Sequence, residues 1–227
     1  RPYLLEETYE ALDALDEGDL VGLEEELGDL LLQITLHSQI ASENGTFRIT
    51  DVLRGINQKI VSRHPHVFGT TLVENETQVV QNWEKIKEME RAENGSEKPG
   101  GLLDGIPVIL PSLTQAQSIQ ERAARVGFDW PEITPVLQKV YEELDEVITA
   151  RNDEDRAKEL GDLLFAVVNL VRWHKVDAES ALRQTNTKFR KRFAYIEQQA
   201  KTSGRELQKM TLEEMDVLWE AAKEFDD

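Results

Sequence analysis

The sequence predicts an all-α protein made of two copies of one helical-bundle module. Apolar residues recur at helical spacing along most of the 227-residue chain, and no stretch sustains the period-two alternation of a strand. Glu26-Leu-Gly-Asp-Leu-Leu31 returns letter for letter as Glu159-Leu-Gly-Asp-Leu-Leu164. Between the copies, Asn94-Gly95-Ser96, Pro99-Gly100-Gly101, Pro107 and Pro111 crowd into a linker over 93–111. The domains are thus read as 1–92 and 112–227.

The elements follow in order. Leu5, Leu12 and Leu15 set against Glu6, Glu7, Glu10 and Asp13 give a helix over 3–15. Gly18-Asp19 stops it and starts the next, which runs through Leu20, Leu27, Leu31 and Ile34 to about Ser42. Asn44-Gly45 is a turn. Thr50 reads as the N-cap of a helix that Pro65 ends, and 77–92 is amphipathic. In the second copy helices are expected over 112–126, 134–151, 155–174, 178–202 and 211–225.

The repeat extends beyond one block. Glu6-Glu7-x-x-Glu10 is matched by Glu142-Glu143-x-x-Glu146, Asn57-x-Lys59-x-x-x-Arg63 by Asn186-x-Lys188-x-x-x-Arg192, and Trp83-x-x-x-Lys87 by Trp219-x-x-x-Lys223. Four collinear blocks at so long a period indicate a duplicated domain and not a solenoid.

Composition narrows the function. The chain is 40% hydrophobic and 31% charged, with 26 basic and 44 acidic residues for a net charge of −18. Such a chain is repelled by nucleic-acid backbones and anionic membranes. The absence of cysteine excludes disulfides, thiolate metal sites and cysteine nucleophiles, and fits a cytoplasmic setting. No apolar run approaches the length of a membrane span. The chain opens at Arg1 inside a helical pattern, so a front segment is expected before it.

Residues three apart share a helix face, so Glu143 with Glu146 and Glu159 with Asp162 project in pairs. The leucine stripes beside them make their helices antiparallel partners, and four carboxylates would converge. Each close like-charged pair costs about 4 kcal/mol at 4 Å with an effective dielectric of 20. A hard divalent cation relieves that cost, and an all-oxygen ligand set favours Mg²⁺, with Mn²⁺ as a substitute. Mg²⁺ commonly completes its shell with substrate phosphates, which connects an acidic protein to a phosphate substrate. Glu7, Glu10, Glu26 and Asp29 form the second possible site. Gly28 and Gly161, each costing about 1 kcal/mol in a helix interior, suggest close helix–helix approach there. Lys188 and Arg192 share a face and can bind phosphate oxygens, and Trp219 with Lys223 can stack a base and hold a phosphate. Each pattern alone is commonly a solvated face or core, as is His64-Pro65-His66. Asp129-Trp130-Pro131 reads as a loop into the acidic helix with Trp130 packed down. No phosphate-binding P-loop, dinucleotide fingerprint, G-x-S-x-G or EF-hand loop occurs.

These blocks, with Arg63-His-Pro-His-Val-Phe68 and Val126-Gly-Phe-Asp-Trp130, resemble the two-domain bacterial form of the MazG family over essentially the whole chain. The resemblance implies an all-α fold related to dimeric dUTPases, Mg²⁺ dependence and a homodimer. It also implies hydrolysis of nucleoside triphosphates between the α- and β-phosphates. By the same resemblance Glu143, Glu146, Glu159 and Asp162 are metal ligands and catalytic residues, and Lys188, Arg192, Trp219 and Lys223 contact the nucleotide. The family's Cys-Pro-Trp-Asp segment ahead of the first acidic helix is absent, which points to the second copy as the working site. The rival reading is a nucleotide- or metal-sensing interaction module without turnover.

Overall fold

The computed structural model describes residues 2–69, 86 and 101–225, and among these every regular element is a helix. The chain divides into two compact units, Arg1–Pro99 and Gly100–Asp227. The expected helix over 77–92 apart from residue 86, including Trp83 and Lys87, and the first part of the linker fall outside the described residues.

In the first unit α1 (Pro2–Glu17) packs along α2 (Leu20–Glu43), which also meets α3 (Ile49–Arg63), with α4 (Pro65–Phe68) following. Gly18 takes φ +69°, a left-handed conformation that glycine adopts without penalty, and this closes α1. Asp19 then caps α2 by accepting from the Val21 and Gly22 amides at 3.1 and 3.0 Å. A two-residue link of this kind folds α1 and α2 back as an antiparallel hairpin. Thr50 is not the cap of α3: the helix begins at Ile49, and the Asp51 carboxylate reaches back to the Arg48 amide at 3.0 Å. The acceptor lies inside the first turn, where an anion also meets the helix dipole.

The second unit contains α5 (Ser112–Arg125), α6 (Ile133–Thr149), α7 (Asp153–Trp173), α8 (Ala178–Thr202) and α9 (Leu212–Ala222). Two 3₁₀ turns, Leu207–Lys209 and Lys223–Phe225, flank α9. The α6–α7 hairpin is its centre. Asn152 caps α7 through the Asp155 amide at 2.9 Å, and Asp153, Glu154 and Asp155 fill the first turn. Helix α5 packs on α7 and α8, and α9 on α8. Val136, Val168, Ile196 and Ala200 make the core. Gln117 joins α5 to the start of α8, accepting from the Ala178 amide at 2.8 Å and donating to the Val176 carbonyl at 3.2 Å. Arg122 donates to the carbonyls of Leu102, Asp104 and Gly105, so this stretch of the expected linker is tied to α5. No helix among the described residues is long and apolar enough to cross a membrane.

Helix α9 is anchored electrostatically. Glu214 accepts both Arg205 guanidinium nitrogens, at 2.8 and 2.7 Å, and the Thr211 amide at 2.9 Å. The Arg205 guanidinium, then the Thr211 amide, hold its carboxyl below the usual 4.5. A depressed carboxyl stabilises the fold above the unfolded value and loses that contribution as pH falls through the folded one. The native chain should therefore lose melting temperature below about pH 4.5, in part through Glu214. Glu214→Gln should melt lower at pH 7 and show a shallower acid decline. Parallel melting curves for the two proteins between pH 3 and pH 7 would contradict this.

Candidate active site

Helices α6 and α7 run antiparallel, so acidic residues one helical face apart in sequence meet across the hairpin. Glu143, Glu159 and Asp162 each offer a carboxylate oxygen within 4.8 Å of the others. Glu143 is 5% exposed, Glu159 half-buried and Asp162 exposed. Lys139, one turn before Glu143 on α6, donates to Glu143 Oε1 at 2.7 Å and also pairs with Glu142 at 2.9 Å. These two carboxylates raise the lysine above its ordinary value, so it stays charged. Glu143 Oε2 is buried with no hydrogen-bond partner.

Glu146 stands outside the triad but feels it. Burial raises its carboxyl above 4.5, and the charges of Glu143 and Glu159 raise it further. Three of the four expected ligands thus meet at one point, and the fourth lies beside them. The first unit repeats the arrangement with Glu7, Glu26 and Asp29 within 4.8 Å, leaving Glu10 outside. There Glu7 is raised by burial and then by Asp29, and Glu26 by burial and then by Glu10 and Asp29.

The two triads are not equivalent. The position one turn before Glu7 is Tyr3, which is exposed, so no lysine pairs from the place Lys139 takes in the second copy. The second triad also opens on a cleft of about 970 Å³ between α5, α6, α7 and the 126–130 segment. Lys139, Glu143 and Asp162 line one part of it, and the rest is largely apolar, with Val136, Phe165 and Trp130. The first unit's crevice, about 560 Å³ between α2 and α3, is lined by residues such as Leu32, Ser38 and Arg48 and by none of Glu7, Glu26 or Asp29.

Trp130 is 39% exposed and forms cleft wall, so it is not the packed-down anchor expected from sequence. Its loop is held instead by Asp129, whose carboxylate accepts from the Trp130 amide at 2.9 Å and from Arg172 on α7 at 2.7 Å. Lys188, Arg192, Trp219 and Lys223 lie elsewhere, on α8, α9 and the closing turn. The Arg192 guanidinium lies 5.2 Å from the Trp219 ring centre, Phe189 packs against the same ring at 5.0 Å, and Lys223 pairs with Glu220. None of these four lines the cleft. Sequence reasoning missed Lys139 and Gln120. Lys139-x-x-x-Glu143 was a legible signal, since residues four apart on a helix pair.

The interior glycines behave differently from expectation. A Cβ built at Gly28 or Gly161 meets nothing within 4 Å, so neither admits a neighbouring helix within its unit. Gly161→Ala should therefore raise the stability of the separate chain by about 0.5–1 kcal/mol, the ordinary helix-interior gain. Thermal melting checks this, and a loss of stability would mean that the face is covered.

The three carboxylates suit a hard divalent cation. They supply oxygen donors only, they repel one another, and the buried Oε2 of Glu143 has no hydrogen-bond partner. The family model for the MazG nucleotide pyrophosphohydrolase domain matches residues 1–68 and 132–196, and each segment carries one acidic triad. The chain belongs to the MazG family. An Escherichia coli K12 member, a nucleoside triphosphate pyrophosphohydrolase, is 45% identical over 98% of this chain and 85% of its own length. A Thermotoga maritima member, named as a nucleoside triphosphate pyrophosphohydrolase/pyrophosphatase MazG, is 42% identical over 100% of this chain and 86% of its own. The Bacillus subtilis protein YabN is 48% identical over 99% of this chain, which spans 46% of YabN. The MazG family thus accounts for both the duplication and the paired acidic helices.

Proposed function

We propose that this protein hydrolyses nucleoside triphosphates between the α- and β-phosphates, releasing nucleoside monophosphate and pyrophosphate, over a broad range of bases. The observation that carries the reading is the buried Glu143 carboxylate. It has one oxygen held by Lys139 and the other free, and it sits in an acidic triad beside a mostly apolar cleft. The names borne by the Escherichia coli and Thermotoga maritima relatives support the same reaction.

In this reading Glu143, Glu159 and Asp162 hold Mg²⁺, with Mn²⁺ as a substitute, and Glu146 completes the site as a ligand or as a base. A bound divalent cation supplies charge neutralisation for the polyphosphate and activation of water. Lys139 holds Oε1 of the Glu143 carboxylate and leaves Oε2 without a hydrogen-bond partner. Burial, then the charges of Glu143 and Glu159, raise the Glu146 carboxyl above 4.5, which makes it a stronger proton acceptor than an ordinary carboxylate. The apolar cleft walls exclude water from the nucleoside, which strengthens every charge interaction at the acidic end. Glu7, Glu10, Glu26 and Asp29 form a weaker second site.

Lys188, Arg192, Trp219 and Lys223 are assigned to the nucleotide, stabilising charge as it develops on the phosphates. Because they lie off the cleft, the reading places them at the polyphosphate within a homodimer. Exposed Tyr141, Ile148, Leu164 and Phe189 on α6, α7 and α8 are the apolar surface such a dimer covers. The substrate pool places the activity in the cytoplasm.

The test is ³¹P NMR of the chain with a panel of nucleoside triphosphates, with and without Mg²⁺. Monophosphate plus pyrophosphate, formed only with the metal, is the expected result. Diphosphate plus orthophosphate would overturn the cleavage position. Mg²⁺-dependent binding without any product would favour the sensing module.

A further inference from the structure

Gln120 on α5 is 7% exposed and lines the same cleft as Glu143 and Asp162. Its Nε2 donates to the Phe165 carbonyl at 2.8 Å. A carbonyl oxygen only accepts, so this bond fixes which end of the amide is nitrogen. The other end, Oε1, is left buried with no hydrogen-bond partner. Buried acceptors in native proteins are nearly always paired, so an orphan of this kind calls for a ligand group.

A second amide faces the same space. Asn169 on α7 is 9% exposed and also lines the cleft. Its Oδ1 accepts from Arg172 Nε at 2.9 Å, and Arg172 is in turn held by Asp129 at 2.7 Å. A guanidinium only donates, so the end of the Asn169 amide that meets it is the oxygen, and Nδ2 is the donor end. Asp162 and Asn169 are seven residues apart on one face of α7, a separation of about 10 Å along the helix axis. Ala166 and, across from it, Val136 supply apolar wall. The cleft therefore runs from carboxylates, through an apolar stretch, to a pair of oriented amides. That is the polarity order of a nucleoside triphosphate: cation-bound phosphates, sugar, base edge.

We propose that Gln120, with Asn169, reads the nucleobase and grades the broad specificity toward cytosine and adenine, whose exocyclic amino group adjoins an accepting ring nitrogen. Gln120 Oε1 accepts from that amino group, and Asn169 Nδ2 donates to the ring nitrogen beside it. Cytosine and adenine present this donor–acceptor pair. Uracil and thymine present an N–H flanked by two carbonyls. If that N–H meets Gln120, Asn169 can satisfy one carbonyl, and the other is desolvated among Ile119, Ala123 and Phe165. The proposal rests on the nucleotide reading of this cleft.

CTP and UTP differ at this edge and hardly in size, so they form the test pair. With both present in one Mg²⁺-containing reaction, the ratio of kcat/KM for CTP over UTP should be about ten- to hundredfold, the consequence of one unpaired buried group. Gln120→Met, apolar and of similar length, should bring the ratio close to one. A ratio taken within one sample does not depend on the fraction of protein folded, so losing the Phe165 bond cannot imitate the result. A wild-type ratio near one would overturn the proposal. So would an unchanged ratio in Gln120→Met, which would mean that water alone satisfies Oε1. If neither nucleotide were hydrolysed, the reaction assignment would fail. The base-reading assignment would still be decided by the ratio of CTP and UTP dissociation constants in Mg²⁺, with the same values expected.

Discussion

Glu143→Gln should lose about a hundred- to a thousandfold in Mg²⁺-dependent turnover, the scale set by removing one group that stabilises charge in a preorganised site. An amide offers one neutral oxygen where the carboxylate offered two anionic ones, and its nitrogen cannot ligate a cation. The same change removes a member of a like-charged triad whose atoms lie within 4.8 Å. The variant should therefore fold at least as well as the native chain without metal, and lose the native chain's thermal stabilisation by Mg²⁺. This pairing of an intact or raised melting temperature with lost activity separates a ligand from a structural acid. Asp162→Asn, at an exposed position where packing is not at stake, should behave alike. If both variants turned over triphosphate at the native rate, the second triad would not be the working site. Glu26→Gln and Asp29→Asn in the first unit should cost far less, because that triad lacks a partner lysine on α1 and the 560 Å³ crevice is not lined by it.

Lys139→Met should act through Glu143. The lysine is the cation that balances a carboxylate with 6% side-chain exposure. Removing it leaves that charge buried among Glu159 and Asp162. Breaking a fully buried pair costs about 3–5 kcal/mol, and the 37% exposure of the lysine side chain reduces this to about 1–3 kcal/mol. The apo protein should unfold at lower denaturant, and Mg²⁺ should recover much of the loss, since a cation does for Glu143 what the ammonium did. Turnover should fall about ten- to a hundredfold, the usual penalty for losing a group that orients a metal ligand. Denaturant melts with and without Mg²⁺ read this directly. Equal destabilisation in both conditions would show that Lys139 only supports packing.

The fold was largely legible because helical periodicity is a local property. Leu20 through Ile34 and the Leu160–Leu164 block announce helices whatever surrounds them, and Gly18-Asp19 marks a boundary by its own backbone chemistry. The repeat then placed both acidic sets. The deviations come where a local rule meets a competing partner. Thr50 looked like a cap, but the Asp51 carboxylate reached the Arg48 amide first. Gly161 looked like a contact, and only the packed hairpin reveals empty space above it. Gln120 carried no signal: a glutamine in an amphipathic helix is ordinarily solvated, and its burial depends on the Phe165 carbonyl of a helix 45 residues away. Of Lys188, Arg192, Trp219 and Lys223, the structure brings Arg192 onto the Trp219 ring, and none of the four is cleft wall.

The α6–α7 hairpin has a kinetic consequence. Everything in the second triad, from Lys139 to Asp162, belongs to two helices joined by the short Ala150–Asn152 link. Contacts so close in sequence pay little loop-closure entropy, and hairpins of this kind assemble early in folding. Yet the same event presses three carboxylates together, with one ammonium to offset them. A local and early long-helix encounter is thus also a frustrated one, and dissolved divalent cations would act on the nascent hairpin before a finished enzyme exists to use them.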